Sequence, residues 1–281
     1  MRLRQGRGGP DLKVAVLGAT GRMGMAITRL IAASADMTLS GAAAEPGHPR
    51  LGQDAGSIAG AGALGVAVTA AAAQAVAGAD VVIDFTTVAA TGANLDACVQ
   101  ARCALVMGTT GLGAEQQRLL EQASRAIPVV YGRNMSVGVL VLTELARVAT
   151  RLLGREADIE ILEAHHRDKV DAPSGTALQL GEAVAGELGH RLEDLAVHDR
   201  FATRVPRRPG SIGFSSVRAG RIVGDHEVLF ALDEEVLRLE HRALDRATFA
   251  RGAVRAARWV AGKPPRLYDM GDVLGLPATR T

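Results

Sequence analysis

Aromatic side chains are scarce: 281 residues carry one Trp, two Tyr and five Phe. A core of this composition rests on Val, Leu, Ile and Ala, which suits sheets with helices packed closely over them. Cysteine is nearly absent. Cys98 and Cys103 cannot build a disulfide framework and lack a second metal-binding pair, so they read as buried thiols in a reducing compartment. No apolar run approaches the roughly 20 residues that a membrane helix needs. Neither sign of charge dominates: 32 Lys and Arg against 30 Asp and Glu leave a formal +2, which gives no ground for nucleic-acid binding. The basic start from Met1 to Pro10 has no apolar stretch behind it and reads as a mobile tail of a cytoplasmic protein, not a signal peptide. What is present, 48% hydrophobic and 22% charged residues over this length, belongs to a globular chain of about two domains.

Short apolar runs alternate with helical patterns in the first half. Leu12 to Leu17, Met37 to Ala44, Ala79 to Phe85, Ala104 to Met107 and Pro128 to Tyr131 read as strands. Arg22 to Ala33, Gly92 to Ala101 and Ala114 to Arg125 read as helices between them. This alternation predicts a parallel, doubly wound sheet. Gly52 to Ala77, rich in Ala and Gly, predicts a loop with one short strand near Val66 to Val68 and one small helix. After Asn134 the rhythm changes. Helices are expected over Val137 to Leu153, Ala177 to Leu188 and Thr248 to Ala261, with an alternating strand at Asp158 to Ile161 and longer alternating strands from Arg218 to Leu239. The expected fold class is α/β: an N-terminal Rossmann-like parallel sheet and a C-terminal α+β domain with a mixed sheet. The expected division is 1–136, joined by a returning 247–281, and 137–246.

Gly18-Ala19-Thr20-Gly21-Arg22-Met23-Gly24 sits between a strand and a helix. Glycines there permit a tight turn and close approach of a pyrophosphate, and the helix start offers N–H groups at a positive dipole end. Glu45 ends the second strand, where a carboxylate accepts hydrogen bonds from ribose hydroxyls and repels a 2′-phosphate, which favours NADH. Pro46 supplies no cation, and His48 or Arg50 remains to meet a 2′-phosphate. No G-x-x-x-x-G-K-[ST] loop occurs, and Tyr131 and Tyr268 are followed four residues on by Met135 and Asp272, so a Tyr-x-x-x-Lys pair is missing. Asp84 to Thr87 and Gly108-Thr109-Thr110-Gly111 each follow a buried strand, at the end where such sheets take ligands.

The most informative stretch runs from Glu160 to Ala177. A strand delivers His165 and His166 into a loop; adjacent side chains on extended chain point to opposite sides and so take different roles. Lys169 is near enough in sequence to reach one of them, and a cation there eases deprotonation. A helix begins near Ser174 to Thr176, with Thr176 and Gln179 at capping-box spacing, and the N–H groups of Gly175 and Thr176 make a carboxylate seat. Proton donors beside an anion seat imply a small anionic substrate. No metal is expected: H-E-x-x-H spacing is missing, and Lys169 is a poor neighbour for a cation. His48, His190, His198 and His241 are read as structural, and Arg200, Arg204, Arg207 and Arg208 as a solvated basic run.

Glu163-Ala164-His165-His166 with Lys169, Asp171 and Pro173 to Ala177 resembles the signature of the dihydrodipicolinate reductase family. The resemblance extends over nearly the whole chain, through Gly18 to Gly24, Asp84 to Thr86, Gly108 to Gly111, Asn134 with Ser136 to Val139, Gly210 to Gly213, Val217 to Gly220, and Gly224 with His226. It implies NAD(P)H-dependent reduction of a cyclic dicarboxylate imine in the diaminopimelate route to lysine, with hydride delivered to ring C4 and a proton to the adjacent carbon. It implies His165 as acid/base, Lys169 as second donor, His166 as a substrate contact, and Gly175 and Thr176 on a substrate carboxylate. Gly18, Ala19, Thr20, Gly21, Arg22, Met23, Glu45, Gly108, Thr109, Thr110, Gly132, Arg133, Asn134 and Met135 are implied to contact NADH or NADPH. A homotetramer formed through the C-terminal sheet is implied as well, with no nucleic acid or membrane partner. Many members carry a basic residue after the acid, where this chain has Pro46. Two alternatives stand beside this reading: another two-domain dehydrogenase of aspartate-derived metabolites, and a non-catalytic dinucleotide sensor or nucleic-acid partner.

Overall fold

The structure, a computed structural model, describes residues 11–200 and 205–276. The N-terminal tail and Arg204 of the arginine run lie outside the described residues. The chain divides into two compact units, one formed by the residues up to Met135 together with those from Phe249 onward, the other by Ser136–Thr248.

The first unit is built on β1 (Leu12–Leu17), β2 (Met37–Ala43), β3 (Val68–Thr69), β4 (Val81–Asp84), β5 (Ala104–Met107) and β6 (Pro128–Tyr131). All pair in parallel, in the order β3-β2-β1-β4-β5-β6. Val14 to Leu17, Val81 to Ile83 and Leu105 to Met107 are buried on both faces, which explains runs that are apolar throughout. Leu95 and Cys98 of the helix Thr91–Ala101 and Leu120 of the helix Ala114–Ser124 pack on Leu105, Met107 and Val129. Cys98 and Cys103 are free buried thiols, not an accessible nucleophile of the kind an aldehyde dehydrogenase needs. Strand order reverses between β1 and β4, the switch point at which doubly wound sheets open a crevice.

The second unit carries a mixed sheet of β7 (Asp158–His165), β8 (Ala196–Val197), β9 (Ile212–Arg218), β10 (Asp225–Ala231) and β11 (Val236–Arg242), in the order β11-β10-β7-β9-β8. β10 runs antiparallel to β7 and β11, and β9 runs parallel to β7 and β8. Ile159, Ile161, Val228, Phe230, Ile212 and Phe214 line one face, covered by Leu142 and Ala146 of the helix Val137–Leu153 and by Leu180 and Val184 of the helix Gly175–Glu187.

The chain then returns. Helix Ala247–Val260 brings Gly252 so close to Met135 that an added Cβ would lie 1.7 Å from its carbonyl oxygen. β12 (Arg266–Tyr268) pairs with β6 as a seventh parallel strand.

The structure differs from the sequence pattern at two places. Gly52 to Ala77 holds two short helices, Ala55–Ala59 and Ala72–Val76, where one was expected. Asp54 organises the first: its carboxylate accepts from the N–H groups of Ser57, Leu64 and Val66, a polar anchor that hydrophobic periodicity does not register. The arginine run is not simply solvated. Arg207 is ion-paired with Asp158 and Glu160, and Arg200 with Glu160, because those acids stand on the open face of β7.

Candidate active site

Within the first unit, every residue expected at the dinucleotide follows the carboxyl end of a parallel strand. Gly18, just after β1, has φ +77°, and a Cβ there would lie 2.8 Å from the Phe85 carbonyl oxygen. A Cβ at Gly24 would fall 2.1 Å from the Gly18 carbonyl oxygen, so the helix Arg22–Ala32 sits directly on the turn. Gly21 caps that helix without any side-chain hydrogen bond, and no acid stands in its first turn. A bare N–H terminus with its positive dipole end suits a pyrophosphate. Gly24→Val is expected to cost about 1–3 kcal/mol in overpacking. Thermal melts check this cost, and fluorescence titration with NADH is expected to show the variant binding more weakly than the parent.

Glu45 is exposed just beyond β2, and His48 closes a turn onto its carbonyl oxygen at 3.2 Å. The Arg50 guanidinium lies 3.9 Å from Met25 Sδ in the first turn of the helix after Gly21. After β4, the fully buried Asp84 carboxylate accepts from Thr86 N at 2.8 Å and Asn94 Nδ2 at 2.9 Å, and burial pushes its pKa up. Thr109 donates to the Thr86 carbonyl at 3.3 Å, tying the loop after β5 to the loop after β4. A Cβ at Gly108 would sit 2.3 Å from the Phe85 ring. After β6, Gly132 donates to the Met107 carbonyl at 3.2 Å, Arg133 is exposed and Met135 is buried. These cradles, which a Cβ would fill, fit a dinucleotide.

The second unit gathers a polar cluster at the end of β7. Sheet register sets it: Glu163 lies between His226 of β10 and Ser216 of β9, and His165 beside Arg218 of β9. His165 Nδ1 is 2.5 Å from Glu163 Oε2. Arg218 clamps both Glu163 oxygens at 2.8 and 2.7 Å and donates to the carbonyls of Lys169 and Asp171, fixing the loop after β7. The Ser174 amide reaches Glu163 Oε1 at 3.2 Å, and Ser174 Oγ lies 3.2 Å from His226 Nε2. The His165 and His226 rings meet edge to face at 5.1 Å. Among the described residues, no group of three or more His, Cys, Asp or Glu is placed to hold a metal.

Charge in the cluster follows from this packing. Burial would raise the Glu163 carboxyl, but hydrogen bonds from Arg218, Ser216 and His165 outweigh it and hold it at about 2. His165 is pushed below the ordinary imidazole range, mainly by burial and further by Lys169 and Arg218, against an opposing pull from Glu163. Burial takes His226 to about 3, so it stays neutral.

Several expectations change here. The helix start is capped by Ser174, whose hydroxyl accepts from Ala177 N, and not by a Thr176–Gln179 box; Gly175 and Thr176 are instead its first two residues. Lys169 pairs with Asp171 at 2.9 Å and reaches His165 through its field, while burial is the larger cause of the imidazole's lowered proton affinity. His165 is buried and His166 half-buried, 4.0 Å from Asp168. Glu163, Ser174, Arg218 and His226 join the cluster although the sequence motifs assign them no role. The spacing of Glu163 and His165, two apart on a strand and so on one face, was the signal available for the first of them.

Two domain profiles of one family match the chain. Residues 12–135 match "Dihydrodipicolinate reductase, N-terminus" and residues 138–274 match "Dihydrodipicolinate reductase, C-terminus". A 4-hydroxy-tetrahydrodipicolinate reductase from Anaeromyxobacter sp. (strain Fw109-5) is 51% identical over 269 residues, covering 96% of this chain and 100% of the relative. One from Alkalilimnicola ehrlichii is 50% identical over 264 residues, covering 94% and 99%. In fold, the chain resembles a dipicolinate-bound dihydrodipicolinate reductase from Paenisporosarcina sp. TG-14, with TM-score 0.72 at 23% identity, covering 92% of this chain and 97% of that one.

Proposed function

The chain belongs to the dihydrodipicolinate reductase family and is an NAD(P)H-dependent reductase of 4-hydroxy-tetrahydrodipicolinate; on that premise we propose which of its residues carry out the reaction. A bound dihydronicotinamide supplies the hydride. Gly18 to Met23 hold the pyrophosphate side of the dinucleotide, Glu45 its ribose hydroxyls, and Gly108 to Thr110 with Gly132 to Met135 the nicotinamide side. Gly175 and Thr176 seat a substrate carboxylate at a helix start, where outward N–H groups and the dipole favour an anion. His166 contacts the substrate. His165 delivers the proton to the ring carbon next to the reduced one, with Lys169 as second donor. Chemistry of this kind needs little beyond positioning, a proton donor and charge complementarity.

One observation carries this reading. A single carboxylate, Glu163, holds His165 through one oxygen and the Ser174 amide at the head of the helix Gly175–Glu187 through the other. Proton donor and carboxylate seat are thereby fixed to the same atom pair. The purified protein is expected to oxidise the reduced dinucleotide when given the dihydrodipicolinate synthase product, and no oxidation with either NADH or NADPH would overturn the assignment.

The exposed Glu45, followed by Pro46, supports a preference for NADH. Steady-state comparison is expected to give the higher kcat/KM with NADH; a preference for NADPH would overturn it and direct attention to Arg50. The reaction belongs in the diaminopimelate route to lysine, in the cytoplasm. A homotetramer assembled through the mixed sheet is supported by the sheet's open face, where Val217 and Val236 are 52% and 54% exposed and Leu162 and Leu229 are half-buried.

A further inference from the structure

We infer that Glu163, locked by Arg218, is a positioning residue that orients the His165 imidazole with Nδ1–H bound and Nε2 as the proton-transferring atom. This rests on the reading that His165 handles the substrate proton. Both Glu163 oxygens face donors, the Arg218 guanidinium fork and the Ser174 amide among them. An ionised carboxylate only accepts, so the hydrogen of the His165–Glu163 contact sits on Nδ1. The free hydrogen-bonding position of the ring is then Nε2.

Space at Nε2 has been kept open. Gly224, between β9 and β10, is the residue beside it, and a Cβ there would approach Nε2 to 3.1 Å. His226, packed edge to face, stays neutral and so does not compete for the proton. The charged and titratable groups facing His165 are Glu163 on its own strand, Arg218 on β9, His226 on β10, and Lys169 with its partner Asp171 in the loop after β7. Among them Glu163 is the one whose hydrogen bond and charge favour the imidazolium, the form that donates a proton. Without it, His165 would lose its proton at lower pH and the ring would lose the contact that sets its orientation.

Two measurements test this. In the wild-type protein, long-range proton–nitrogen NMR of the imidazoles is expected to show the neutral form of His165 with hydrogen on Nδ1. Hydrogen on Nε2 would overturn the inference without the need for any variant. In Glu163→Gln, the amide oxygen can still accept from Nδ1 but the charge is gone. Turnover is expected to fall on the order of 10- to 100-fold, a share of what general acid catalysis supplies. KM for the dinucleotide should change little, KM for the substrate should rise because the amide NH2 cannot accept from the Ser174 amide, and the alkaline limb of the kcat profile should move to lower pH. A profile of unchanged shape, merely scaled, would identify a structural role and overturn the inference. His165→Ala retaining full turnover would defeat the reading of His165 as the proton donor, whereas its loss together with an unshifted Glu163→Gln profile would defeat only the role given to Glu163.

Discussion

His165→Ala is expected to lower turnover by about 10²–10⁴-fold, the span supplied by a positioned general acid, while KM for the dinucleotide stays close to that of the parent. The expectation follows from where the ring is held. His165 ends β7 at 8% exposure, bound at Nδ1 by Glu163. Alanine leaves the carbanion-like product of hydride addition to find its proton from water or from Lys169. Dinucleotide KM is the internal control, since the residues proposed for that ligand all lie in the other unit. Stopped-flow measurement with saturating NADH and synthase product separates the chemical step from release. Unchanged turnover would remove His165 from the mechanism and leave Lys169 as the donor.

Arg218→Ala is expected to destabilise the unit Ser136–Thr248 by about 3 kcal/mol, the lower end of the cost of stripping one partner from a buried ion pair. Its lower end applies because Glu163 keeps the contacts with His165 and Ser174 N. The guanidinium also holds the carbonyls of Lys169 and Asp171, so the loop bearing Lys169 loosens at the same time. At roughly 4 °C per kcal/mol for a unit of this size, the melting temperature should fall by about 12 °C. The pH dependence has a definite sign. Glu163 is depressed from 4.5 to about 2, so its stabilisation is fully present above the unfolded value and is lost as pH falls towards 2. The deficit of the variant is therefore largest near neutral pH and shrinks under acid. Thermal melts by circular dichroism across that range check it, and equal melting temperatures at neutral pH would show that the clamp contributes nothing.

Much of the scaffold could be read from local pattern. β1, β5, β6 and the helix Val137–Leu153 have the boundaries expected from the sequence, because fully buried strands are short apolar runs and amphipathic helices show their period over several turns. β8 with two residues, β12 with three and the five-residue helix Met270–Leu274 were not anticipated, since segments that short display no period. The same limit applies to the site. His165, His166, Lys169 and the glycine turn stand in contiguous motifs. The partners that give them their properties do not: Arg218 is 55 residues from Glu163, and His226 is 52 from Ser174. Strand register sets Arg218 and His226 beside β7, and the Glu163 carboxylate then holds the Ser174 amide there, none of which a local reading can supply. The helix is capped at Ser174, two positions before Thr176; both offer a hydroxyl, and only backbone geometry distinguishes them.

The returning segment has a consequence for biosynthesis. A parallel seventh strand beside β6, and a helix whose Gly252 nests on Met135, both follow the inserted unit in the chain. A ribosome must therefore finish the entire Ser136–Thr248 insert before the preceding portion can acquire its outermost strand and the helix that packs at Met135. During elongation the nascent β6 is a sheet border waiting for a neighbour that does not yet exist, while the inserted unit already has all of its own strands. The half made first is, by this connectivity, the half completed last.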